Sequence, residues 1–379
     1  MSVITNFFTF ALAFVVVLSV IVFIHELGHF LVARWCGVAV KAFSIGFGPE
    51  IFGYEDRHGT RWRFAALPLG GYVKFIDDEG AASTPSNEAI AKMTPEQRAG
   101  SFHLKPVWKR AAVVAAGPAA NFLLSIVIFA AMFMLYGQSI IEPRIGKVVP
   151  ETPAATAGFK PGDLVLAIQD QEIQSFRDLQ QIVSTSPEQS LEFRIDRQGS
   201  ELTLVVRPEL RELEDKLTGK HRRPVIGIQV DTKTSTIRHQ TYGPIGAVQA
   251  ATTQTWNIVT GTLTFLYDVV RGRQDYSQLG GPIRIADVAG KAAQLGPEVV
   301  VQFIALISVS VGLINLFPIP LLDGGHLLFY AIEAIRRKPL SERTQEISFR
   351  IGLAVILSMM IFVTFNDRSI LKSWLSWLT

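Results

Sequence analysis

Three stretches, 7–24, 111–136 and 299–322, are apolar and free of charge for about the 20 residues a helix needs to cross a bilayer. A fourth, 351–365, reaches that length only if its flanks join it. Trp35, Trp108, Tyr136, Trp374 and Trp377 lie near the ends of these stretches, as interfacial aromatic belts do. Residues 247–270 follow another pattern. Their one charge is Asp268, they are rich in Thr and Gln, and Val248, Ala251, Ile258, Leu263, Leu266 and Val270 recur at helical spacing. That pattern predicts a helix on the membrane surface or against the protein rather than a fifth span.

Short alternating runs fill the spaces between. Runs at 41–47, 51–54, 61–67 and 71–75 are separated by Gly and Pro, with Asp56-Arg57-His58-Gly59 as a hairpin turn. They predict a small antiparallel sheet folded back toward the membrane. Residues 77–104 read as a polar loop. From 138 to 208 the chain predicts a separate α+β unit, with a helix at 176–183 that turns Leu179 and Ile182 inward and strands at 191–195 and 202–206. Residues 209–223 read as a charged linker, and 224–230 as one more strand.

Composition supports a membrane protein. Of 379 residues, 49% are hydrophobic and 18% charged, against about 25% charged in soluble domains, and the mean hydropathy is +0.30. The net charge of +3 gives nucleic-acid binding no support. One cysteine, Cys36, excludes an intramolecular disulfide framework and a cysteine-cluster metal site. Residues 1–6 hold no Lys or Arg, and no small-residue cleavage site follows, so the first stretch reads as a retained span. Lys and Arg concentrate between spans one and two (Arg34, Lys41, Lys105, Lys109, Arg110) and between spans three and four (Arg336, Arg337, Lys338, Arg343, Arg350). Both loops are therefore expected in the cytoplasm, with 137–298 and both termini on the other side.

The chemistry sits at the cytoplasmic ends of two spans. His25 and His29 in His25-Glu26-Leu27-Gly28-His29 stand one helical turn apart on one face. Two imidazoles at that spacing suit one Zn²⁺, with Glu26 beside them as a general base. Ionisable groups in an apolar helix are costly and usually functional. A third ligand is expected at the same depth. The third span ends in Asn315-Leu-Phe-Pro318-Ile-Pro320-Leu-Leu-Asp323-Gly324-Gly325-His326, where two prolines break the helix. Broken backbone at membrane depth is tolerated inside protein or beside a watery cavity. Asp323 is the first candidate for the third ligand and His326 the second; as a bland alternative, Asp323 caps the helix that follows. In Gly117-Pro118-Ala-Ala-Asn121, inside the second span, Gly117 and Ala120 read as packing residues. Asn121 needs a polar partner, either substrate backbone or another helix.

The stretches 25–29, 67–74, 116–122 and 315–326 together resemble the site-2 protease family of intramembrane zinc metalloproteases, and within it the bacterial regulator-of-sigma-E (RseP-like) branch. The resemblance covers the membrane core except the fourth span. It implies His25, His29 and Asp323 as zinc ligands, Glu26 as general base and Asn315 as a substrate-positioning residue. It favours Gly70 and Gly71 at a sheet edge that receives substrate as an added strand. The 138–208 unit resembles a PDZ domain of the bacterial protease type, with one such domain where the branch has two in tandem.

The expected architecture is a polytopic α-helical membrane protein with about four transmembrane helices, a small membrane-associated β-sheet and an inserted PDZ domain. Its boundaries are 1–35 for the first helix and zinc motif, 36–106 for the cytoplasmic loop and sheet, and 107–137 for the second helix. The PDZ domain takes 138–208, and a linker with an amphipathic helix takes 209–298. The third helix and aspartate segment take 299–335, and the last loop and helix 336–379. The expected function is zinc-dependent cleavage of single-span membrane proteins already shortened on the far side, such as an anti-sigma factor or remnant signal peptides, in regulated stress-response proteolysis. The expected location is a bacterial inner membrane, with the site toward the cytoplasm and the PDZ domain in the periplasm; a peptide ligand of that domain is a further expected partner. A non-catalytic scaffold and a zinc transporter are the competing classes. Intact His25, Glu26, His29 and Asp323 speak against the first. The absence of His, Asp and Glu from spans two and four speaks against the second.

Overall fold

A long apolar helix, α1 (Ser2–Trp35), leads into two bent strands, β1 (Val40–Glu55) and β2 (Arg61–Phe75), in a computed structural model that describes residues 2–77, 93–186, 189–215, 219–230, 237–272 and 279–367. Most of the polar 77–104 loop, together with Trp374 and Trp377, lies outside the described residues. The two strands meet at the Asp56–Gly59 turn, where Asp56 Oδ1 accepts from the His58 and Thr60 amides. Each strand bends midway, so four runs lie side by side. Residues 40–45 pair with 71–75 on one side (Ile45 opposite Gly71) and with 61–64 on the other, and 50–55 pair with 61–65. Among the described residues no strand pairs with the outer edge of 71–75. Phe43 and Phe75 anchor the sheet in a core with Phe30, Val113 and Tyr330.

After a short helix, α2 (Pro95–Gly100), comes α3 (Val107–Leu135), which contains Pro118. A Cβ on Gly28 of α1 would overlap Ala116 O and lie 2.7 Å from the Ala120 Cβ. This glycine therefore lets α1 and α3 approach backbone to backbone.

Residues 130–279 form a second unit. It contains β3 (Gln138–Ile141), β4 (Lys147–Val148), α4 (Pro153–Thr156), β5 (Leu164–Ile168), β6 (Gln171–Glu172), α5 (Phe176–Thr185), β7 (Leu191–Arg197) and β8 (Ser200–Val206). An antiparallel sheet in the order β6-β5-β7-β8 buries Val165, Phe193 and Ile195 against Phe176, Leu179 and Val183 of α5. The charged linker expected at 209–223 is instead an antiparallel hairpin, β9 (Glu209–Asp215) and β10 (Gly219–Val225). Its register sets Glu212 opposite Arg222 and Glu214 opposite Lys220, and Arg211 opposite Arg223. The expected boundary at 208 also cuts the unit short. Ile226 is in its core, β11 (Ile228–Gln229) pairs with β4, and β12 (Ile237–Gln240) pairs with β3. The amphipathic stretch forms α6 (Pro244–Val270).

The chain returns to the first unit as α7 (Pro282–Leu295), α8 (Pro297–Asn315), α9 (Asp323–Arg336) and α10 (Glu342–Asn366). Gly280-Gly281-Pro282 opens α7. Ala289 and Ala292 of α7 pack with Val17 and Ile21 of α1 and with Phe303 and Ile304 of α8. The third apolar stretch stops being helical at Asn315, not 322, because Pro318 and Pro320 interrupt the hydrogen-bond ladder. The broken segment is closely gripped. Side chains on Gly324, Gly325 or Gly352 would collide with the carbonyls of Leu316, Ile319 and Pro320 respectively. Among the described residues four helices are long and apolar enough to cross a membrane: Phe8–Trp35, Val107–Leu135, Pro297–Asn315 and Arg343–Asn366. The last includes the flanks that 351–365 lacked, and α6 is not among the four.

Candidate metal centre and active site

Three helices converge on one point. His25 and His29 come from α1, Asp323 from the first turn of α9, and Gly117 of α3 leaves room for both rings. The His25 and His29 Nε2 atoms are 3.2 Å apart. Asp323 Oδ2 is 3.1 Å from His25 Nε2, and Asp323 Oδ1 is 3.5 Å from His29 Nε2. Among the described residues these three form the group able to share one ion.

The donor set fits zinc. Ligands about 2.0–2.1 Å from a tetrahedral Zn²⁺ stand about 3.3 Å from one another, the spacing found here. The His29 Nδ1–H donates to Val113 O at 2.9 Å, which leaves Nε2 with a bare lone pair. That lone pair faces a second imidazole and a carboxylate, and Asp323 Oδ2 is buried without a hydrogen-bond partner. Such an arrangement of acceptors is unfavourable unless a cation sits among them. The α3 sequence contributes to it. It supplies Val113 O to His29, and Pro118 in the same helix has no N–H for the carbonyl of the neighbouring Val114.

A cavity of about 810 Å³ adjoins the cluster. Glu26, Gly70, Gly71, Asn315 and His326 line it along with the three clustered residues. Gly71 belongs to the unpaired 71–75 edge. A Cβ there would lie 2.7 Å from Ser44 O and 3.2 Å from Glu26 Cγ, so this glycine brings the strand close to the glutamate. His326 stands one turn beyond Asp323 and outside the cluster, its ring centroid 5.5 Å from that of Phe349.

Two residues of the second span have places that sequence reasoning did not find. Asn121 is wholly buried, and its side-chain amide lies 3.1 Å from His25 Nδ1, behind the ligand face. It is not among the residues that line the cavity. Gly117 is more than a packing residue, because a side chain there would overlap His29. The signal available in the sequence was the pairing of glycine and asparagine four residues apart, which places both on one face of the helix.

The profile of peptidase family M50 matches residues 13–359. A protein of Mesorhizobium japonicum named "Putative zinc metalloprotease mll0638" is 48% identical over 355 residues, covering 93% of this chain and 97% of its own. A relative in Rhizobium meliloti, named in the same way, is 48% identical over 93% of this chain and 95% of its own. Metalloprotease MmpA of Caulobacter vibrioides is 39% identical over 93% of each chain. A PDZ domain of an SdrC-like protein from Listeria monocytogenes matches 24% of this chain and 87% of its own at 17% identity, with a TM-score of 0.19 that is too low to assign a fold. By the span of the family match and the identity of these relatives, the chain belongs to peptidase family M50, the site-2 proteases, and is a multi-pass, zinc-dependent metalloendopeptidase.

Proposed function

We propose that this protein cleaves single-span membrane proteins within the bilayer, at a zinc held by His25, His29 and Asp323. The observation that carries the reading is the convergence of these three ligand atoms, all within 4.8 Å of one another, from two helices. Zinc, when bound, supplies Lewis-acid polarisation of the scissile carbonyl and activation of water. Glu26 acts as general base toward that water and returns the proton to the leaving amine. The 71–75 edge, with Gly70 and Gly71, receives the substrate as an added strand, which frees the scissile carbonyl from helical hydrogen bonds. Asn315, at the end of α8, lines the same cavity and helps position the substrate.

The loop charges support a site open to the cytoplasm of a bacterial inner membrane, with 137–298 on the periplasmic side. The α+β unit acts as a PDZ domain. A groove of about 340 Å³ between Leu179 and Val183 of α5 and the 226–229 segment supports this reading and offers room for a peptide. Its bulk restricts the enzyme to substrates that have already lost their ectodomains. Anti-sigma factors and remnant signal peptides are the two substrate classes.

The test is cleavage of a single-span substrate, with and without its ectodomain, by purified protein in detergent. Wild type should cut only the truncated form, and Glu26→Gln should cut neither while retaining one zinc. Full activity of Glu26→Gln would overturn the assignment of the base. Equal cleavage of both substrates would overturn the size gate.

A further inference from the structure

Asn121 is the buried polar side chain closest to the metal centre that the proposed chemistry leaves unused. As placed, its Nδ2 faces His25 Nδ1 at 3.1 Å, and its Oδ1 is buried with no partner. That orientation conflicts with the rest of the site. If Nδ2–H donates to Nδ1, the His25 proton must sit on Nε2, the atom 3.1 Å from Asp323 and 3.2 Å from His29 Nε2. A protonated Nε2 cannot ligate a metal. Turning the amide by 180° exchanges its oxygen and nitrogen in place. Oδ1 then accepts from His25 Nδ1–H, Nδ2 takes the position where Oδ1 had no partner, and Nε2 is left with its lone pair toward Asp323. His29 is already held in this way by Val113 O.

We infer that Asn121 is a positioning residue that fixes the tautomer and ring orientation of His25 through an Nδ1–H···Oδ1 hydrogen bond. It has no part in binding substrate. The two histidines are thus locked by different acceptors on α3, a backbone carbonyl for one and a side-chain amide for the other. Asn121 is itself held from α8. Ser308 Oγ donates to its backbone carbonyl at 2.9 Å, and a Cβ on Gly312 would lie 3.3 Å from the Asn121 Cβ, so α8 packs directly against this residue. An outer hydrogen-bond partner of a ligating histidine is usually worth 10–100-fold in metal affinity.

The inference rests on the reading of His25, His29 and Asp323 as zinc ligands, and the experiment separates the two. Zinc affinity of the full chain in detergent is measured by competition with a chromophoric chelator, alongside the visible absorption of the cobalt-substituted protein. Asn121→Leu keeps the volume and removes the acceptor, and Asn121→Ala removes it without crowding the helices. Both should weaken zinc binding by about 10–100-fold and alter the cobalt spectrum. Asn121→Asp, which can only accept, should stay within a few-fold of wild type. If Asn121→Leu and Asn121→Ala bind zinc as wild type does and show only a raised KM, the residue belongs to substrate binding and the inference falls. It falls equally if Asn121→Asp loses zinc as Asn121→Leu does, because the amide would then act as a donor. His25→Ala is the control. If it keeps wild-type affinity, the ligand assignment fails; if it alone loses zinc, only the role given to Asn121 fails.

Discussion

Gly117 of α3 and His29 of α1 touch across the helix interface so closely that no side chain fits between them. A Cβ built on Gly117 would overlap His29 Nε2 and lie 2.9 Å from His25 Cε1. The second span thus forms the back wall of the metal centre, and its only admissible residue there is the one without a side chain.

Gly117→Ala should therefore displace both rings from a common point. Overpacking of this kind typically costs about 1–3 kcal/mol, which here falls on ligand geometry. The expected result is a chain that still folds but holds less than one equivalent of zinc after dialysis and has lost most of its activity. Zinc by elemental analysis beside detergent unfolding checks it. Full zinc content would show that α3 yields.

The ion pair of Arg110 and Glu333 fastens α3 to α9, the helix that begins with Asp323. Its atoms are 2.6 Å apart, both side chains are largely buried, and the Arg110 guanidinium also lies 4.9 Å from the Tyr330 ring centroid. Removing one partner leaves the other charge unpaired, a loss of about 3–5 kcal/mol for a fully buried pair and less at this partial exposure. Glu333→Ala should lower the unfolding midpoint and, by loosening α9, reduce activity. Arg110→Ala combined with it should cost less than the two single losses added together, as a double-mutant cycle will read.

Asp367, at the end of α10, closes the Gly280-Gly281-Pro282 turn. Its Oδ2 accepts from the amides of Gly281 at 2.8 Å and Arg284 at 3.1 Å, satisfying the first turn of α7. A Cβ on Gly281 would lie 2.8 Å from that same oxygen. Loss of such a cap costs about 0.5–2 kcal/mol. Asp367→Ala and Gly281→Ala should both destabilise the fold, and Asp367→Asn, which keeps an acceptor, should do so less. Unfolding midpoints in detergent rank the three.

Asp77 makes a pH-dependent contribution through its contacts with Ser101 and His103, which follow α2. Burial opposes its ionisation. Hydrogen bonds from the His103 ring, the Ser101 hydroxyl and the His103 amide outweigh burial and hold its carboxyl well below the usual carboxylate range. A lowered folded value means a contribution fully present above the unfolded value of about 3.9. That contribution is lost as the pH falls through the folded value. Asp77→Asn should thus be less stable than wild type near neutrality, and the gap should shrink on acidification below pH about 4. A gap that is constant with pH would show that the carboxylate's charge plays no part.

The sequence by itself determined the membrane-spanning class, since charge-free runs of that length leave a backbone no other way to satisfy its hydrogen bonds in hydrocarbon. It also identified His25 and His29 as neighbours, because helical spacing is a local property. The four runs at 41–75 were legible from their Gly and Pro punctuation. Their order in the sheet was not, because strand pairing is set by contacts between residues distant in the chain. The same limit explains the hairpin at 209–225. A run of charged residues reads as a linker until its partner strand is known.

Tertiary structure alone decided the rest. Asp323 is nearly 300 residues from the histidines it meets. The broken segment before it is gripped where Gly324, Gly325 and Gly352 let α9 and α10 close on its carbonyls. The roles of Gly117, Asn121 and Asp367 likewise exist only where two helices touch. A glycine has no pattern of its own, and an asparagine or aspartate shows no partner until packing places one within about 3 Å.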